Sequence, residues 1–217
     1  MEEHTLAGEV PLAVRVARPA AACRGAAFIA HPYAFLGGTQ DDPVVQQLAA
    51  VFRDFLVVTF DSRGAGASGG RTSWTFVPEC RDYQAVVDWA LGTFGVPRDA
   101  TLVFCGYSCG ALQASAARAP GWADVRYVLV SYPLDVVWLV TCFGGRHFRR
   151  CLAEAAERRV LLMYGTADQF TSAASYAAWA RTLAQQHTVD AIAAPCDHFW
   201  RGALHTLAQA GAWARST

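Results

Sequence analysis

Ser108 stands at the centre of Gly106-Tyr107-Ser108-Cys109-Gly110, after the apolar run TLVFC and before the small-residue stretch ALQASAARA. Strand, tight turn and helix in that order lift a serine hydroxyl to the edge of a sheet. Glycine is needed on both sides because side chains would collide where the chain reverses so sharply. The backbone N–H of Cys109 is then directed at the same spot.

A serine hydroxyl becomes a useful nucleophile only when a histidine takes its proton, and that histidine needs a carboxylate to hold its tautomer and stabilise its charge. A nucleophile on such a turn is followed in the chain by the acid and then the base. Once His4 near the N-terminus and His31 at a strand end are set aside, His147, His187 and His205 fall in polar helical or helix-end segments. His198 alone follows a late strand, in Ala194-Pro195-Cys196-Asp197-His198-Phe199-Trp200. Asp168 comes three residues after the strand-ending Gly165 and is the expected acid, with Asp135 after the preceding strand as its competitor. Asp197 adjoins the histidine and suits a capping role better.

An acyl-transfer site also needs donors for the developing oxyanion. One is the Cys109 N–H. The other is expected from His31-Pro32-Tyr33-Ala34-Phe35-Leu36-Gly37-Gly38, where Pro32 has no N–H and Tyr33 becomes the candidate. His31 is expected to fix this loop by bonding neighbouring backbone.

These residues need a frame, and the chain supplies one from about residue 26 onward by alternating apolar β-rich runs with helical periodicity. The expected strands are Ala26–Ala30, Phe55–Phe60, Thr101–Gly106, Val125–Ser131, Arg159–Gly165 and Val189–Ala193. Apolar stripes over Val44–Phe52, Tyr83–Leu91 and Tyr176–Leu183 mark helices between them. Alternating Val10, Leu12, Val14 and Val16 predict a strand or hairpin at the sheet edge. The fold class is therefore α/β, a mostly parallel central sheet with helices on both faces, read as one domain over residues 1–217.

Composition narrows the function. Hydrophobic residues make up 53% and charged residues 17% of 217, the profile of a chain with a buried core. The 18 basic residues are all arginine, balanced by 18 acidic ones, so no basic face for nucleic acid is expected. Without lysine, Schiff-base chemistry and the usual phosphate-binding loop are closed. The seven cysteines form no C-x-x-C pair, and neither a metal site nor a cofactor is expected. No apolar stretch is long enough to span a bilayer, which with the acidic start makes the reducing cytoplasm the expected compartment.

In order and at these separations, HPYAFLGG, FDSRGAGASGG, GYSCG, GTADQF and PCDHF resemble the α/β-hydrolases, in particular the small lidless branch related to dienelactone-hydrolase-like and short-chain esterase proteins. The resemblance covers roughly residues 26 to 205. It implies that Asp61–Ser68 is a structural turn, and that a serine nucleophile serves ester, thioester or related acyl hydrolysis of a small-molecule substrate. An acyltransferase or cyclase using the same acyl-enzyme, or a silent binding protein on this fold, would carry the same motifs.

Residues 132–147 remain as an insertion expected to act as a short lid or to line the pocket. Leu134–Phe143 is too apolar for a solvated loop, so core, partner or substrate must cover it. If substrate does, Trp138, Leu139 and Phe143 wall an acyl pocket above Ser108, favouring medium chains or aromatic esters, with Gly144-Gly145 as a hinge.

Overall fold

The computed structural model describes residues 1–20, 23–153 and 158–216, with the side chains of 149, 150 and 153 left aside. Eight strands form one sheet: β1 (Glu2–Leu6), β2 (Leu12–Ala17), β3 (Gly25–Ala30), β4 (Leu56–Phe60), β5 (Thr101–Tyr107), β6 (Val125–Val130), β7 (Arg159–Gly165) and β8 (Thr188–Ala194). Their order across the sheet is β1-β2-β4-β3-β5-β6-β7-β8, antiparallel in the first two pairings and parallel from β4 to β8. The six parallel strands therefore end at one common edge.

Helices cover both faces, as the alternation along each strand requires. Ala26, Phe28 and Ala30 of β3 pack with α2 (Val77–Thr93), α3 (Cys109–Ala116) and α6 (Ala173–Leu183). Ala27 and Ile29 point the other way, toward α1 (Pro43–Val51) and α7 (Ala208–Arg215). Strands buried on both faces read as unbroken apolar runs, which is why the central ones are evident from sequence.

The expected edge hairpin is present as β1 paired antiparallel with β2, and two features go beyond the expectation. The acidic segment Glu2–Leu6 is itself a strand and forms the sheet edge, so the alternating Leu12–Val16 run lies one position in. An edge strand is held by backbone pairing and kept soluble by charge, and Glu2 and Glu3 pair with Arg18 and Arg15. Hydrophobic periodicity carries no such signal. The second is the 132–147 segment, which holds α4 (Val137–Val140) and the start of α5 (Gly145–Ala153).

The turn at Asp61–Ser68 is fixed by polar contacts. Both oxygens of Asp61 accept hydrogen bonds from Gln40, through its N–H (2.9 Å) and side-chain amide (3.1 Å), and a Cβ at Gly66 would meet Asp61 at 2.1 Å. Arg63 makes a two-pronged ion pair with Asp82 of α2 at 2.7 and 2.8 Å, with Glu9 at 3.3 Å. From this turn the Ser62 N–H donates to His31 Nε2 (2.9 Å), and His31 Nδ1 donates to Pro32 O (2.7 Å). Helix α2 is thus tied through Arg63, Ser62 and His31 to the loop after β3.

Asp82→Ala would leave the Arg63 guanidinium, 8% exposed, with only the solvated Glu9. The expected loss is about 3 kcal/mol in urea unfolding, and a loss below about 1 kcal/mol would show that the pair is not what holds the turn. His31 gives a second expectation. Burial lowers its pKa from 6.5, and its Nε2 lone pair is occupied by the Ser62 N–H. Above pH 6.5 both folded and unfolded chains keep it neutral. As the pH falls below that, the unfolded chain binds the proton first, so the stability that neutral His31 contributes is progressively lost. Wild type should exceed His31→Gln by about 1 kcal/mol at neutral pH, with the gap closing on acidification. A gap independent of pH would contradict this.

Candidate active site

The glycines of GYSCG are forced by close approach. A Cβ on Gly106 would sit 2.1 Å from the carbonyl oxygen of Gly110, and one on Gly110 would sit 2.4 Å from Ala30 O and 2.6 Å from His31 O. The start of α3 is thus pressed onto the end of β3. Between them Ser108 is held at φ 55° and ψ −121°, a conformation a non-glycine residue adopts only when its surroundings dictate it.

Two further segments reach this serine from the carboxyl ends of β7 and β8. Gly165 lets them meet, since a Cβ there would lie 2.3 Å from Cys196 O, and the Ala167 N–H donates to that same carbonyl (3.0 Å). His198 Nε2 lies 2.9 Å from Ser108 Oγ, and His198 Nδ1 lies 2.8 Å from Asp168 Oδ2. A carboxylate can only accept, so Nδ1 carries the proton and the Nε2 lone pair faces the serine. The other oxygen of Asp168 accepts the N–H groups of Phe170 (2.8 Å) and Thr171 (3.1 Å). The Asp168 side chain is fully buried and that of His198 is 4% exposed.

The imidazole is held on every side. Its backbone N–H donates to Gln169 Oε1 (3.2 Å), its carbonyl accepts the Tyr107 hydroxyl (3.1 Å), and Phe170 and Phe199 meet the ring edge to face at 4.7 and 5.6 Å. Trp200 anchors the loop through its indole N–H to Ser131 Oγ at 3.0 Å. Sequence reasoning gives none of these six residues a role. Tyr107, Gln169 and Phe170 lie inside the motifs it singles out, but their contacts are made across the sheet edge and leave no local pattern.

Asp135, the competing acid, lies elsewhere. Its Oδ2 accepts the Ser172 N–H (3.0 Å) and the Ser175 hydroxyl (2.9 Å) at the start of α6. Asp197 accepts the N–H groups of Phe199 and Arg201 and so caps the turn behind His198. The Cys109 thiol is buried against the core, which pushes its pKa up to about 12 and leaves no thiolate at neutral pH.

A cleft of about 130 Å³ opens at Ser108 and His198, with Tyr33, Leu36, Phe170 and Phe199 as apolar walls and Asp42 on its rim. Burial raises the pKa of Asp42, whose Oδ1 caps α1 by accepting the Val44 N–H (2.8 Å). Tyr33 borders the cleft and Cys109 is the first residue of α3. The N–H of a first helical residue has no intrahelical acceptor, and among the described loop contacts the Tyr33 N–H has none either. A groove of about 440 Å³ along α6 is larger but is lined by none of Ser108, His198 and Asp168, its acid and serine being the capping Asp135 and Ser175.

Trp138, Leu139 and Phe143 are not among the residues lining the cleft, contrary to expectation. Val137 is the position of α4 that enters the core, beside Leu134 and Phe148. One helical step per residue then turns Trp138 and Leu139 outward, 50% and 63% exposed, with the Phe143 ring 5.7 Å from Trp138. Apolar character there answers to the core for Val137 and to the surface for its neighbours. Among the described residues no group of three His, Cys, Asp or Glu could hold a metal, and no helix is long and apolar enough to cross a membrane.

Comparison with known proteins agrees with this architecture. The family model described as X-Pro dipeptidyl-peptidase (S15 family) matches residues 8–121, a stretch that includes Ser108 and stops before Asp168 and His198. No curated protein matches the chain. Among solved structures, a Xanthomonas campestris protein described as an α/β serine hydrolase without lid is 25% identical, with 100% of this chain and 96% of that one covered at a TM-score of 0.79. An α/β serine hydrolase homologue from Coxiella burnetii is 22% identical over 99% and 97% of the two chains, with a TM-score of 0.76. Est1E from Butyrivibrio proteoclasticus, solved with ferulic acid bound, is 16% identical over 93% of each chain, with a TM-score of 0.70.

Proposed function

The chain belongs to the X-Pro dipeptidyl-peptidase (S15) family, and on that footing we propose that it is a serine hydrolase acting through an acyl-enzyme on the ester, thioester or related acyl bond of a small apolar substrate. The observation that carries this reading is the continuous hydrogen-bonded line Ser108 Oγ, His198, Asp168 at 2.9 and 2.8 Å.

In that mechanism Ser108 Oγ attacks the acyl carbonyl while His198 Nε2 takes its proton. The tetrahedral oxyanion is held by the N–H groups of Cys109 and Tyr33, the former at the positive end of α3. His198 then protonates the leaving group, the acyl-enzyme remains on Ser108, and water is activated by the same nitrogen for the second half. Asp168 keeps its hydrogen bond to Nδ1 throughout. Its carboxylate is already satisfied by two backbone N–H groups, so it orients the imidazole and offsets its transient charge without moving.

The cleft sets the scale of the acyl group. Ordinary ligand pockets run to about 300 Å³ or more, and this one offers about 130 Å³ between aromatic and aliphatic walls. A short apolar acyl group suits it. The description of the family favours a second reading, cleavage of an X-Pro dipeptide from a peptide, which would use the same three residues. The small cleft favours the ester.

A fluorophosphonate probe should label wild type at Ser108 and leave Ser108→Ala unlabelled. Turnover of short p-nitrophenyl esters should fall by about 10⁴-fold or more in Ser108→Ala and His198→Ala, and by about 10³- to 10⁴-fold in Asp168→Asn. Asp135→Asn should stay within about threefold, and a reversed ranking of the two aspartates would mean that the acid is misassigned. Faster cleavage of Ala-Pro-p-nitroanilide than of any ester would select the peptidase reading.

A further inference from the structure

The large apolar side chains left exposed are gathered on one edge of the molecule. Among the described residues every one except Met1 lies on a segment leaving the carboxyl end of a parallel strand. Phe35 and Leu36 follow β3, and Trp74 follows β4. Trp138, Leu139 and Phe143 follow β6, and Phe199 follows β8. This is the edge at which Ser108 opens.

On the side of β3, β4 and β8 the apolar surface is continuous with the cleft. Leu36 and Phe199 are two of the cleft walls. Phe35 meets the Tyr33 ring of the cleft edge to face at 5.4 Å and stacks on Trp74 at 5.2 Å, carrying the surface outward. On the far side Asp135 binds the segment bearing Trp138 and Phe143 to Ser172, in the loop after Asp168. Exposed apolar groups in such number at one place mark a contact surface.

The position of the surface decides what it contacts. A protein partner or a second copy seated around this mouth would shut Ser108 away from its substrate, whereas a lipid surface carrying the ester would deliver it. The residue types agree: aromatic and leucine tips, with the Arg201 guanidinium 5.0 Å from the Phe199 ring, suit the boundary between headgroups and acyl chains. The formal net charge is zero, so apolar burial and not long-range attraction would drive docking. The cleft admits only a short acyl group, leaving the rest of the substrate on this edge.

We propose that the carboxyl edge of the sheet, carrying Trp74 on the cleft side and Leu139 and Phe143 on the segment after β6, docks on a lipid–water interface and that the substrate is a water-insoluble ester presented there. The substrate half rests on the serine-hydrolase reading; the docking half does not, and is measured without turnover.

The experiment is co-sedimentation of Ser108→Ala protein with neutral dioleoylphosphatidylcholine vesicles, in low salt and at roughly 1 M salt, where surface electrostatics are screened. Binding should persist in high salt and fall about tenfold or more when Trp74→Ser, Leu139→Ser and Phe143→Ser are added together, with circular dichroism reporting the fold. With Ser108 intact, the triple variant should keep wild-type turnover of dissolved p-nitrophenyl acetate and lose about tenfold on emulsified tributyrin. Protein that stays in the supernatant, a triple variant that binds as well as wild type, or a dimer in sedimentation velocity that the triple variant abolishes would each overturn the proposal. If vesicle binding behaves as expected but neither ester is hydrolysed, the surface stands and the serine-hydrolase reading fails.

Discussion

The structure turns on one backbone contact, the seating of Gly110 against the carbonyl oxygens of Ala30 and His31. Because no side chain intervenes, the first turn of α3 lies directly on the end of β3, and the strand-to-helix reversal must be completed within GYSCG. Ser108 takes up the resulting strain at φ 55°. The same contact places the N-terminal dipole of α3 beside the loop after β3. The proposed nucleophile, the helix dipole and the two proposed oxyanion donors are consequently set by one packing event, not by separate devices. The core supports it: almost every residue of α3 is buried, and its small side chains let it cross the sheet closely.

The polar groups around the cleft follow the logic of burial. A charge or donor withdrawn from water must be matched, and each member here is matched at least twice. Asp168 has the imidazole and two backbone N–H groups, Asp61 has the Gln40 N–H and amide, and Arg63 has Asp82 and Glu9. His31 is matched with lone pair and proton both committed, which is why burial favours its neutral form. The network reaches from α2 to the loop bearing Tyr33. Its worth lies in fixing that loop, since a buried ion pair adds little net stability compared with apolar packing.

Much of this is legible in the sequence for a specific reason. Central strands buried on both faces leave apolar runs, and Ser108, Asp168 and His198 each stand at a short fixed distance beyond one of them. The helix-spaced stripes at Val44, Val45 and Leu48 and at Tyr83, Val86 and Val87 are equally plain. What escapes is whatever depends on contacts between loops. Gln169 and Phe170 lie in a motif the sequence marks, yet their touch on His198 comes only when the ends of β7 and β8 meet at Gly165. β1 escapes because its bonds are backbone bonds and its charged side chains suggest a tail. In Leu134–Phe143 apolarity tells that a surface must be covered without telling by what: Val137 goes inward, and Trp138, Leu139 and Phe143 do not.

That division has a consequence for how the molecule can vary. Ser108, His198 and Asp168 are held by strands, helix starts and buried hydrogen bonds that are complete without a substrate, so their geometry exists before anything binds. The side chains that would meet the bulk of a substrate stand on connecting segments outside this framework. Trp74, Leu139 and Phe143 make few commitments to the core, and changing them leaves the packing of Gly110 on β3 untouched. On the proposed reading, chemistry and selection are thus carried by different parts of the chain. The sheet and its close backbone contacts constrain the first, and the surface of the carboxyl edge, free of that constraint, can set the second.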